Sequence, residues 1–402
     1  MENEKVKKAL ELIRERDEDT LSKQLELCVI PAPSGMEEKR AAWVKEHFLL
    51  AGLEDVKEDE LHNVTGIIKG TRWPEDKGEI MLASHTDTVF PEGTDLTVCK
   101  EGDTYFCPSI GDDTRGVAEL VSIAESMVSA GIRPEKTIVF CANVCEEGLG
   151  NLKGIRHIFK TRTNIEAFVS IDDGTTEKII YGATGSLRYE IRFTGPGGHS
   201  FGAFGIPNPI HAMGRAIAKI SRFTVPKHPK TTFNVGVVSG GTTVNTIPSM
   251  ASMLVDLRSG NENALNRLAD MLKRAVSEAA EEENIRWNGE AFWKNSPDNF
   301  PQVTAEFIEK GNRPGGCQTS DALIVQAAEA AVRAVGMEPA LSDEGSTDSN
   351  IPISLGIPAI TVGMGGIGGG EHTPGEWYQA KDAWKGVQKN MLLLLLLAGL
   401  ED

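Results

Sequence analysis

Five stretches of the chain carry side chains that can hold a cation or move a proton. The apolar run Ile80-Met81-Leu82-Ala83-Ser84 meets His85-Thr86-Asp87. An imidazole there can offer one nitrogen to a metal while an aspartate two residues on accepts the other ring N–H and fixes the tautomer. Alone, His-x-Asp is more often just a solvated loop. Gly111-Asp112-Asp113-Thr114-Arg115-Gly116 precedes a helical pattern. One of its acids can cap the helix and favour its dipole, which leaves the other unexplained. The apolar runs 137–143 and 167–171 end in Glu146-Glu147 and Asp172-Asp173, and the run 359–363 leads through glycines to Glu371-His372. Open α/β sheets bind ligands outside the carboxyl ends of their strands. Repetition at several strand ends makes coincidence a poor account.

The candidate ligands are therefore His85, one of Asp112 and Asp113, Glu147, Asp172 and His372. Two imidazoles and three carboxylates suit zinc, cobalt or manganese, and a carboxylate can bridge two ions. Two divalent ions about 3.5–4 Å apart would polarise a carbonyl and lower the pKa of a shared water. Glu146, beside Glu147, is then the group placed to take that water's proton.

The elements that must position these groups read as an α/β fold. Its core is a mixed, mainly parallel sheet with helices on both faces, since near-continuous apolar strands separated by helices are buried on both sides. Helical spacing covers 3–26, and Ser34 before Glu37 and Glu38 reads as a helix cap. Between the halves the texture changes: residues 187–193 alternate with period two, a helix follows through Ile210 and Ile220, and strands are expected at 232–238 and 251–258. A helix over 262–283 and strands near 285–293 and 303–309 complete a ferredoxin-like β-α-β-β-α-β unit. The catalytic domain is thus expected over 1–184 and 311–402, interrupted by an inserted lid or dimerisation domain over 185–310.

Bulk properties narrow the partners. The 402 residues are 40% hydrophobic and 25% charged, with a formal charge of −17. Nucleic acid and anionic membranes require a basic footprint, so neither is expected as a partner. The apolar stretch 391–400 is too short for a bilayer, which needs about 20 residues. The charged start of the chain carries no apolar leader, and six cysteines without a CxxC pair read as buried free thiols of a reduced compartment. A cytoplasmic enzyme is expected.

Taken together, Ser84-His85-Thr86-Asp87-Thr88, Gly111 to Gly116, Cys145-Glu146-Glu147-Gly148, Gly195-Pro196-Gly197-Gly198-His199-Ser200 and Glu371-His372-Thr373 resemble the M20 family of co-catalytic metallopeptidases, nearest its peptidase T-like aminotripeptidases. The resemblance implies one metal on His85, Asp112 and Asp172, and another on Asp112, Glu147 and His372. Asp112 would bridge, Asp87 would orient His85, and Glu146 would serve as base and then acid. It further implies that His199 holds the substrate carbonyl, often from a neighbouring subunit of a homodimer formed through the inserted domain. Asn245, Arg258 and the turn with Ser346 and Thr347 would bind substrate, a short peptide. The family's acidic turn usually reads Asp-x-Lys-x-Gly, which selects Asp112 by its spacing from Gly116 and leaves Thr114 where lysine is usual. Asp172 in place of glutamate resembles the aminopeptidase and dipeptidase branch. A deacylase of N-acyl amino acids with the same metals and base is the alternative.

Overall fold

The computed structural model describes residues 3–172, 174–287 and 301–401. They form two compact units, residues 1–183 with 316–402, and residues 184–315.

The larger unit is built on an eight-stranded sheet. Its order is Glu54–Glu58, Val64–Ile68, Thr137–Asn143, Glu79–His85, Ile165–Ile171, Ala359–Val362, Lys178–Ile180 and Ala340–Ser342. The central four strands run parallel. Alternation along one of them explains the uninterrupted apolar run. Ile80 and Leu82 enter a core shared with the helices Glu4–Glu15, Glu38–Leu50, Thr114–Ala130, Leu323–Ala334 and Trp384–Ala398. Met81 and Ala83 point to the other face, against Ile155 and Ile158 of the helix Lys153–Thr161 and Ile351. The central strands are covered twice, so both of their side-chain faces are apolar. Parallel register then lines up the strand ends: His85 lies opposite Asn143, and Val362 opposite Ile171.

The helix Thr114–Ala130 ends at Gly131, whose φ of 68° is the left-handed turn that glycine adopts without a Cβ clash. Within it Arg115 and Glu119 are fully buried and bonded at 3.0 Å. Glu119 also accepts from the Gly365 amide and from Asn390 Nδ2. This buried acid is accounted for by partners on other elements and lies in the core.

The smaller unit holds a four-stranded antiparallel sheet in the order Thr231–Gly240, Met250–Ser259, Gly185–Thr194 and Thr304–Arg313. Ala251, Met253, Val255 and Leu257 face the helices Pro209–Ile220 and Glu262–Trp287. In chain order this is β-α-β-β-α-β, the ferredoxin-like arrangement.

Four expectations are corrected. The N-terminal helical stretch is two helices, Glu4–Glu15 and Asp17–Cys28, with Arg16 between them. Residues 285–287 are the end of the helix Glu262–Trp287, not a strand, because the buried Trp287 indole donates to Glu283 one turn earlier, at 3.1 Å. The remainder of that expected strand, 288–293, lies outside the described residues, as does Asp173. Ser34 caps no helix; the N-cap residue of the Glu38–Leu50 helix is Glu37, and Ser34 turns instead to the buried Asp87. All six cysteines are free, but Cys99 and Cys317 are exposed, on short strands that cover no core.

Gly363 ends the strand Ala359–Val362 where a Cβ would lie 1.5 Å from the Thr175 carbonyl oxygen. Gly363→Ala is expected to cost about 1–3 kcal/mol by overpacking. Denaturant unfolding checks this, and an unchanged midpoint would show that the Thr175 segment yields.

Candidate metal centre

Asp112 stands between two histidines. Its Oδ1 is 3.0 Å from His85 Nε2, and its Oδ2 is 3.0 Å from His372 Nε2. His372 Nε2 is also 2.9 Å from Glu147 Oε1. The ligand atoms of His85, Asp112 and Asp172 lie within 4.8 Å of one another, and so do those of Asp112, Glu147 and His372. Asp112 belongs to both groups. A third group of the same dimensions joins His85, Glu146 and Glu147.

Several of the ligand atoms are placed by backbone at the ends of the sheet's strands. His85 is the last residue of its strand and is 1% exposed. Asp172 follows Ile171 directly, its amide bonded to the Val362 carbonyl of the neighbouring strand. Glu146 and Glu147 follow the strand Thr137–Asn143. His372 comes from the glycine-rich loop and takes a φ of 64°.

Asp87 does more than orient His85. The ring Nδ1 lies 3.1 Å from the Asp87 carbonyl oxygen and 3.5 Å from its Oδ1, so the main chain is the nearer acceptor. The fully buried Asp87 carboxylate accepts from the amides of Glu146 and Glu147, at 2.8 and 2.9 Å, and from Ser34 Oγ. It therefore holds the turn that presents both glutamates. Burial opposes its charge, but the His85 ring and these donors keep its pKa below the usual value.

Asp113 diverges from Asp112. Its Oδ2 accepts from Ser84 Oγ and from the His85 amide, which pins the strand end. It is the N-cap residue of the helix Thr114–Ala130, yet its side chain caps none of the helix amides. The expected capping bond is thus replaced by bonds to the strand. A Cβ on Gly116 would sit 2.3 Å from Asp113 Oδ1, so this close approach requires glycine. The bonds of Ser34 and Ser84 to these acids, and the whole role of Glu376, which holds the backbone around Asp112, escaped the sequence reading. A lone serine or glutamate has no local signature for a bond formed across 29 to 267 residues.

The electrostatics match a cation site. Burial pushes the Asp172 carboxyl well above its usual pKa, and Glu146, Asp112 and Asp113 push it further. Burial also opposes charge on Asp112, but bonds to His372 and His85 hold its carboxyl well below the usual range. His372 is pushed up to about 10, chiefly by its bonds to Asp112 and Glu147. In the absence of metal, imidazolium charge can supply the compensation that crowded carboxylates require. Two imidazoles and several carboxylates converging in this way fit divalent metal ions.

In the smaller unit, His199 pairs with Thr246 in the two-residue ladder Gly198–His199 with Thr246–Ile247. The His199 ring is exposed, and its Nδ1 accepts from the amides of Phe201 and Gly202, both at 3.2 Å. A neutral ring bonded in this way carries its proton on Nε2. Asn245 is exposed, and its carbonyl accepts from the Ser200 amide in the same loop pair. Arg258 shares a sheet face with Asp256, to which its Nε donates at 2.8 Å. In the larger unit, the buried Thr347 hydroxyl bonds Thr361 at 2.6 Å, and Ser346 is half-buried beside it.

The sequence pattern of peptidase family M20/M25/M40 matches residues 81–395. The chain belongs to that family. Membership makes it a hydrolase of the peptidase class. Carboxypeptidase G2 of Pseudomonas sp. (strain RS-16) is 24% identical over 320 residues, covering 76% of this chain and 70% of that one. Succinyl-diaminopimelate desuccinylase of Corynebacterium glutamicum is 24% identical over 349 residues, covering 84% and 85%. The solved structure of a tripeptidase from Staphylococcus aureus superposes with a TM-score of 0.77 at 21% identity, over 95% of this chain and 98% of that one. That likeness establishes the M20 fold. No described helix is long and apolar enough to cross a membrane.

Asp87→Ala removes the acceptor of two buried amides. An unsatisfied buried donor costs about 1–3 kcal/mol, so the metal-free variant is expected to lose at least that much in chemical unfolding. Wild-type stability would show that Asp87 does not support the glutamate turn.

Proposed function

We propose that this protein is a two-metal hydrolase that cleaves the amide bond of short peptides, as an amino-, di- or tripeptidase. The observation that carries the proposal is the division of the Asp112 carboxylate, one oxygen toward His85 and the other toward His372. His85, Asp112 and Asp172 would hold one ion, and Asp112, Glu147 and His372 the other. Zinc is the first choice, with cobalt or manganese also suited to this donor set. Such ions polarise a carbonyl and acidify a water.

The remaining steps belong to the chain. Glu146 lies in the same cluster as His85 and Glu147 but is spare once Glu147 is a ligand. It takes the proton of the attacking water and returns it to the leaving amine. Asp87 holds the Glu146 amide, which fixes where that proton is received. His199, with its proton on Nε2, is a donor for the substrate oxygen as negative charge develops. Asn245 and Arg258 would hold the substrate, a guanidinium gripping its carboxylate. Ser346 and Thr347 would shape the pocket turn.

The solved tripeptidase supports the peptide substrate, whereas the desuccinylase relative supports a deacylase of N-acyl amino acids as the second reading. A panel of di- and tripeptides against N-acetyl and N-succinyl amino acids separates them; turnover confined to the acyl compounds would reverse the assignment. A homodimer through the smaller unit has support in its edge strand Thr231–Gly240. There Val237 and Val238 are more than half exposed, an apolar edge that a second copy would cover.

Glu146→Gln is expected to retain two metal ions and to lose turnover by about 10²–10⁴-fold. Metal analysis alongside kinetics checks this; loss of an ion would make Glu146 a ligand. Asp112→Ala should lose the most metal, since it touches both positions. His199→Ala should lower kcat by about 10²–10³-fold at unchanged metal content, while Arg258→Ala should mainly raise KM. Mixing His199→Ala with Asp112→Ala subunits tests for a shared site. Recovered activity places the histidine in the partner's site, and no recovery in proven heterodimers places it elsewhere.

A further inference from the structure

Glu376 is 1% exposed, and among the described residues its carboxylate accepts hydrogen bonds from main-chain amides of one loop. Oε1 accepts from Gly111 N at 2.8 Å and from Asp112 N at 2.9 Å. Oε2 accepts from Ser109 N at 2.8 Å, and the Glu376 carbonyl accepts from Cys107 N at 3.1 Å. No basic side chain among the described residues forms an ion pair with it. One buried acid thus fastens residues 107–112, the segment that delivers Asp112. Its own amide bonds Thr373 O at 3.1 Å, closing the turn that follows His372. The two segments lie far apart in sequence, and each carries a residue of the second cluster, Asp112 and His372. Gly111 lacks a Cβ where one would approach Glu376 Oε1 to 3.2 Å, so the loop is shaped to let the carboxylate in. Bonds from amides to a carboxylate are shorter and stronger than neutral ones, and they resist rotation of the Asp112 peptide.

We propose that Glu376 is a positioning residue that fixes the Asp112 main chain relative to His372 and thereby raises the affinity of this cluster for divalent cations. The proposal rests on Asp112 being the shared ligand. Outer partners of metal ligands typically change affinity by about 10–100-fold when removed. Glu376→Gln keeps the shape but presents an NH₂ group to amides that need an acceptor. Glu376→Asp keeps the charge but is one methylene too short to reach all three amides.

The test is zinc affinity, by competition with a chromophoric chelator, under conditions where circular dichroism shows each protein folded. Glu376→Gln and Glu376→Asp are both expected to bind at least one zinc about 10–100-fold more weakly, with excess zinc restoring part of kcat. Gly111→Ala, which crowds the same carboxylate, should act in the same direction and serves if the Glu376 variants do not fold. Wild-type affinity in folded variants, with only a lower unfolding temperature, would reduce Glu376 to a structural role and overturn the proposal. Full affinity in Glu376→Asp would do so too, by showing that charge rather than placement matters. Asp112→Asn separates the two levels. If it loses zinc while Glu376→Gln does not, only the positioning role fails; if it still binds two zinc ions as wild type, the bridging assignment itself fails.

Discussion

Parallel, in-register pairing of the central strands is the constraint on which the site depends. His85 faces Asn143 across one ladder, and Val362 faces Ile171 across another. Both faces of the sheet are buried, so side chains along the strands are committed to packing. Polar chemistry is left to the residues just past the strand ends. Glu146, Glu147 and Asp172 occupy such positions, His85 is the last residue of its strand, and the loop before the helix that begins at Thr114 brings Asp112 to His85.

Charge then sorts the acids by what they accept from. Asp87, Asp113 and Glu376 are buried carboxylates occupied mainly by amide and hydroxyl donors. A carboxylate so committed is a support. Asp112 and Glu147 instead face imidazole nitrogens, and Asp172 stands among other acids that push its pKa up. The imidazoles hold Asp112 low, burial and neighbouring acids raise Asp172, and a cation at this point would offset both the burial and the repulsion.

Much of this was legible in the sequence. Apolar runs ending in His, Glu or Asp gave the strands and their chemical ends, and period-two alternation marked the smaller unit. Where the reading missed, the cause was a contact across the chain. Ser34 has the local signature of a cap, but the buried Asp87 is the acceptor it reaches. Trp287 extends a helix past its expected end because its indole finds Glu283 in a buried position. Glu376 sits four residues after His372 in a glycine- and proline-rich loop, where nothing local distinguishes it from a solvated acid.

The sequence by itself pointed to the sheet class, to most of the inserted unit's elements and to a set of residues with metal-ligating chemistry, since periodicity and residue chemistry are local properties. It left Asp112 and Asp113 separable only by their distance from Gly116. Tertiary structure gave the two adjacent acids different surroundings: Asp113 meets the Ser84 hydroxyl and the His85 amide, while Asp112 meets two imidazoles. Neighbouring residues with the same side chain diverge because each points to a different element, and the packing of those elements is a property of the whole fold.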